Sequence, residues 1–145
     1  MLNTFTKFLE GVAEEGEKLF SRVKDKALFR KVVSASFLIA RADGDFDSDE
    51  KKALASIVSK KLPQFSIGDI LKILGGCEEK VAFDETMGVM EIMDDICSAT
   101  GDDAAMIIRI SCFIGASDGD FDADEKKVAS DMAKRMSIDP SGYGL

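Results

Sequence analysis

Two stretches of the 145-residue chain concentrate its acidic oxygens: Asp43-Gly44-Asp45-Phe46-Asp47-Ser48-Asp49-Glu50-Lys51-Lys52 and, 75 residues on, Asp118-Gly119-Asp120-Phe121-Asp122-Ala123-Asp124-Glu125-Lys126-Lys127. Only the sixth position differs, and a ten-residue match at a fixed offset marks an internal duplication. Each copy sets five carboxylates within eight residues. Charge this concentrated favours a cation nearby. Ligands that are all oxygen suit a hard divalent cation, calcium, magnesium or manganese, over zinc or copper. The candidate metal ligands are Asp43, Asp45, Asp47 and Glu50 in the first copy and Asp118, Asp120, Asp122 and Glu125 in the second. The loop is not an EF-hand, which requires glycine at its sixth position and glutamate at its twelfth. Counted from Asp43 or Asp118, glycine falls second, the sixth residue is Ser48 or Ala123, and the twelfth is Leu54 or Ala129.

Part of each loop has a purely structural use. Asp47 and Glu50, and likewise Asp122 and Glu125, have the spacing of a helix capping box, while Asp49 and Asp124 place negative charge where the helix dipole favours it. Phe46 and Phe121 are expected to plug into the core, and Gly44 and Gly119 to supply the left-handed turn after the preceding helix. Asp43, Asp45, Asp118 and Asp120 fit this less well. They fall at or just beyond a helix C-terminus, where each negative charge costs about 0.3–1 kcal/mol.

The rest of the chain narrows the function classes. The net charge of −8 arises from 27 acidic and 19 basic residues; without the ten loop carboxylates, 17 acidic residues remain against those 19. The acidity is local, and it disfavours nucleic acid as a partner. The absence of histidine removes the usual general base and the commonest transition-metal ligand. Cys77, Cys97 and Cys112 lack C-x-x-C spacing and sit in apolar stretches, as expected of buried free thiols in a reducing compartment. With no nucleophile or cofactor motif either, the chain reads as non-enzymatic and without an organic cofactor. No apolar stretch approaches the roughly 20 residues that span a bilayer, and no leader-like segment opens the chain, so a cytoplasmic location is expected.

Helical periodicity places the loops. The pattern predicts an all-α fold of about seven helices in one compact bundle over residues 1–145. A first amphipathic helix, capped by Thr4, carries Phe5, Phe8, Leu9, Val12, Leu19, Phe20 and Val23; its Glu10, Glu14, Glu15 and Glu17 favour packing on the bundle over an anionic membrane. A second runs through Leu28, Val32, Val33, Phe37, Leu38 and Ile39, and a third presents Ala53, Leu54, Ile57, Val58 and Leu62. Ser66 caps a short helix that Gly75-Gly76 is expected to end. A methionine-rich helix follows from Asp84 to Ala99, and two more flank the second loop. The duplicated unit is thus helix, acidic loop, helix, over about 28–62 and 103–137, and the pairs are expected to pack about a pseudo-two-fold axis. Methionines 87, 90, 93, 106, 132 and 136 read as core filling. Lys51-Lys52 and Lys126-Lys127 read as local charge balance.

The repeated Asp-Gly…Glu unit, the stretch F-I-G-A-S-D-G-D-F-D-A-D-E-K-K and the terminal D-P-S-G-Y-G-L together resemble the TerB family of tellurite-resistance proteins, across essentially the whole chain. The resemblance implies a seven-helix domain with internal pseudosymmetry, a cytoplasmic role in tellurite and stress resistance, and an acidic metal-binding surface. It also implies association with other Ter-system proteins, including a TerC-type membrane protein that would recruit the chain to the inner membrane face. The family's repeated residues fall on Asp43, Gly44 and Glu50 and on Asp118, Gly119 and Glu125; the first loop here is as acidic as the second, whereas family members often have a less acidic one. Two functions follow as expectations. One is a non-enzymatic cation-binding or sensing module; the other is a metal-independent helical adaptor whose acidic loops dock a basic partner.

Overall fold

The periodicity becomes eight α-helices, with no strand among the described residues, which are 3–117 and 120–145 of a computed structural model. In chain order they are α1 (Thr4–Glu15), α2 (Glu17–Ser21), α3 (Lys26–Ala40), α4 (Ser48–Lys61), α5 (Ile67–Phe83), α6 (Glu85–Ile96), α7 (Gly101–Gly115) and α8 (Ala123–Arg135), followed by a 3-10 turn, Pro140–Tyr143. The expectations placed on Asp118 and Gly119 lie outside the described residues.

α3 and α7 organise the rest because neither has a wide polar face. Every residue of α3 from Val32 to Ile39 is buried, and α7 buries Ile107, Ile108, Ile110, Ser111, Cys112 and Ile114 among others. A helix apolar nearly all round must be surrounded. The two pack most extensively on each other; α5, α6, α4 and α8 cover α3, and α1, α4 and α8 cover α7. Serines inside this core turn inward for partners: Ser36 Oγ donates to the Val32 carbonyl at 2.9 Å and Ser111 Oγ to that of Ile108 at 3.4 Å. Among the described residues no buried side-chain nitrogen or oxygen lacks a partner.

The expected first helix is two. Gly16, at φ +49°, donates its N–H to the Val12 carbonyl at 3.0 Å, and its own carbonyl accepts from Leu19 and Phe20. One left-handed glycine thus ends α1 and starts α2, and the amphipathic pattern runs across the bend unchanged. The cap is Asn3, whose Oδ1 accepts from Thr6 N–H at 2.8 Å, and not Thr4.

Gly75-Gly76 does not end a helix. α5 continues through both to Phe83, because Ile70, Leu74 and Cys77 keep one buried face in register across the pair. A Cβ at either glycine would meet no atom within 4 Å. Glycine inside a helix costs about 0.5–1 kcal/mol relative to alanine, so the pair weakens α5 with no steric cause. Gly88, on α6, is the opposite case: a Cβ there would stand 2.4 Å from the Lys80 carbonyl oxygen, so the close crossing of α5 and α6 depends on it.

Candidate functional site

Each acidic loop connects a core helix to an outer one, α3 to α4 and α7 to α8, and the two outer helices begin alike. Asp47 Oδ1 accepts from Glu50 N–H at 2.8 Å while Glu50 Oε1 accepts from Asp47 N–H at 3.3 Å; for Asp122 and Glu125 the distances are 2.9 and 3.1 Å. Both are full capping boxes. Gly44 makes the expected left-handed turn, at φ +97°, with its N–H on the Arg41 carbonyl at 2.8 Å. Asp43 Oδ1 then accepts from Asp45 N–H at 3.0 Å, which fixes the Asp43 carboxylate in a short side-chain turn.

The phenylalanines anchor both loops. Phe46 meets Phe37 edge-on with ring centres 4.9 Å apart, and Phe121 stacks on Phe5 at 4.8 Å. Room for the second plug comes from Gly115, where a Cβ would stand 3.0 Å from the Phe121 ring and 2.9 Å from Ile39. Lys126 Nζ lies 5.0 Å from the centre of the Phe5 ring.

So anchored, the loops share a cleft of about 240 Å³, lined by Asp43 and Glu50 from one and by Asp122 and Glu125 from the other. Ser36, Ile114 and Gly115 also line it, as does Ala53, which is exposed here although its apolar pattern suggested the core. Asp45, Asp47 and Asp120 do not line it; they are exposed, as are the lining Asp43 and Asp122. One oxygen of each lining carboxylate accepts a backbone N–H, which sets its direction, and a carboxylate has further lone pairs to offer. Among the described residues no three acidic or thiol side chains stand close enough to hold a metal ion; Asp118 is outside them.

The other chemical groups are quieter. All three cysteines are free, with Cys77 and Cys112 buried and Cys97 half-buried. Burial pushes each thiol up, Cys112 to about 12, so none is a ready nucleophile. Met106, Met132 and Met136 fill the core as expected, whereas Met87 and Met90 are exposed. Among the described residues no helix is long and apolar enough to cross a membrane.

A second cleft was not foreseen. Arg30 of α3, Lys72 and Lys80 of α5 and Asp95 of α6 surround Gly76 and Cys77. The signal for it was available: a glycine pair inside an apolar period that does not stop.

Comparison with curated proteins gave no match, and comparison with solved structures gave none. The family described as Tellurite resistance protein TerB matches residues 22–144, a span that takes in both acidic loops, all the helices from α3 onward and the 3-10 turn. The chain belongs to the TerB family of tellurite-resistance proteins.

Proposed function

We propose that the protein acts in tellurite resistance and stress response as a non-enzymatic sensor of a hard divalent cation, calcium, magnesium or manganese, taken up between its two acidic loops. The observation that supports this reading is the shared cleft, to which each repeat contributes two carboxylates, Asp43 and Glu50 or Asp122 and Glu125. Four carboxylates facing one cleft repel one another, and a cation offsets that repulsion. Because no three of the described acids already surround a single point, uptake draws the loops together. The angles of α4 to α3 and of α8 to α7 then depend on occupancy, which is how a local charge event becomes a change of surface. That surface serves other Ter-system proteins, including a TerC-type membrane protein that holds the chain at the inner face of the membrane from the cytoplasm.

The test is an amide NMR titration of chelator-stripped protein with calcium and magnesium, with manganese read by line broadening. The comparison protein is Glu50→Gln/Glu125→Gln, because glutamine preserves the capping box while removing the charge. Saturable shifts over residues 43–50 and 120–125 that vanish in the variant support the reading. Shifts that track ionic strength alone, or that persist in the variant, refute it.

A second reading is the metal-independent adaptor whose acidic loops dock a basic partner, and the surface of α5 and α6 offers such a partner an adjoining contact. Phe83 is 94% exposed and Met87 57%, with Glu79, Asp84 and Glu91 around them and Lys80 the one base among these neighbours. An apolar patch with an acidic rim suits a basic amphipathic partner. Partner binding that weakens with salt but ignores chelator favours this reading over the first.

A further inference from the structure

The cleft between α3, α5 and α6 has a volume of about 390 Å³ and a charge opposite to that of the chain as a whole. Arg30, Lys72 and Lys80 line it against one carboxylate, Asp95. That carboxylate is already matched: Arg30 Nε and Nη2 donate to its two oxygens, both at 2.9 Å. Of the nearby acids, Glu78 pairs with Lys51 at 2.7 Å, and Glu91 reaches Lys80 only at 3.8 Å, with both side chains half-exposed or more. Among the described residues Lys72 makes no salt bridge. The cleft therefore carries surplus positive charge in an acidic protein.

Its inner wall is neutral, with the Ser34 hydroxyl and Cys77 thiol set beside Ile73 and Ile92. Cys77 Sγ donates to Ser34 Oγ at 3.6 Å, and both residues are buried. Accepting from the thiol leaves Ser34 its own O–H to donate, and Arg30 retains three of its five N–H groups beyond those on Asp95. Gly76 adds room. It lies on this wall, and a Cβ there would meet nothing within 4 Å, so α5 keeps an open space where alanine would be the better helix former.

We propose that this cleft binds a small oxyanion of the phosphate, sulfate or tellurite class, with Lys72 and Lys80 supplying charge, Arg30 and Ser34 supplying directed donors, and Gly76 supplying space. Cys77 remains a neutral thiol that orients Ser34, and no electron transfer takes place. The site shares no residue with the acidic loops and does not depend on the cation reading.

The experiment titrates the full chain with sodium phosphate, sulfate and tellurite at constant ionic strength set with sodium chloride, followed by amide NMR. Parallel samples carry Lys72→Gln/Lys80→Gln, Gly76→Ala or Gly75→Ala. The expected result is a saturable shift at Ser34, Ile73, Gly76 and Cys77 for at least one oxyanion. Affinity should be weaker by about tenfold or more in the double lysine variant, weaker in Gly76→Ala, and unchanged in Gly75→Ala, which does not line the cleft. Which oxyanion saturates identifies the ligand. No saturation by any of the three, or equal shifts in the double lysine variant, overturns the proposal. The cation titration reads residues 43–50 and 120–125, so either site can fail without the other.

Discussion

Replacing Gly75 and Gly76 with alanine is expected to make the protein more stable. Both residues lie inside α5, neither has a positive φ, and the added methyl meets no atom within 4 Å. The gain is then the ordinary helix-interior difference, about 0.5–1 kcal/mol per site and about 1–2 kcal/mol together. For a chain of 145 residues, 1 kcal/mol moves Tm by roughly 4 °C, so the double variant should melt about 4–8 °C higher. Gly88→Ala has the same chemistry and the opposite sign. Its Cβ would press on the Lys80 backbone at 2.4 Å, and backbone in a packed helix does not yield, so a loss of about 1–3 kcal/mol is expected. Urea unfolding followed by circular dichroism measures all three, with an unchanged m-value confirming that only stability has moved. A destabilised Gly75→Ala/Gly76→Ala protein would show that the chain turns at the pair instead of running through it. A neutral Gly88→Ala would remove the close crossing of α5 and α6.

Asp47→Ala and Asp122→Ala each remove a capping-box oxygen and should cost about 1 kcal/mol apiece, adding nearly independently in urea unfolding. Thiol labelling with Ellman's reagent should modify half-buried Cys97 first and Cys77 more slowly, with Cys112 reached only as the protein unfolds, since burial holds that thiol in its neutral form. The Arg30 hydrogen bond holds the Asp95 carboxyl below the usual carboxylate range. Its contribution to stability is therefore present above the ordinary carboxylate pKa and is lost as pH falls through the lowered folded value. A carboxyl-carbon NMR titration should show Asp95 returning towards ordinary behaviour in Arg30→Gln, and an unmoved midpoint would assign the shift elsewhere.

The elements that sequence reveals best are those whose pattern is purely local. The caps at Ser66, Asp47 and Asp122 stand where side-chain type and spacing put them. The two phenylalanine plugs, half-buried against the core, were legible because each stands at the same position of the repeated acidic loop. Glycine was not so readable. Gly16 breaks a helix by taking a φ of +49° although the flanking apolar residues Val12 and Leu19 are both buried, whereas Gly75-Gly76 stays helical, and no local pattern of apolar residues separates the two. Of the seven expected metal ligands among the described residues, Asp43, Glu50, Asp122 and Glu125 reach the common cleft. Which carboxylates of a D-x-D-x-D run line a common cleft is set by the meeting of two loops far apart in sequence, and no local rule encodes that. The lysines of the second cleft were invisible for the same reason, since α5 and α6 had first to be folded against α3.

The way α1 is held has a kinetic consequence. Its Phe5 touches Phe121 at a ring separation of 4.8 Å and leaves Gly144 no space for a side chain, and its Phe8 touches Tyr143 at 4.6 Å. These contacts join residues far apart in sequence, an expensive kind in loop-closure entropy. α1 is thus the segment expected to dock last during folding and to leave first during partial unfolding. In native-state hydrogen exchange it should open together with the 3-10 turn as one cooperative unit, at a free energy below that of α3 and α7.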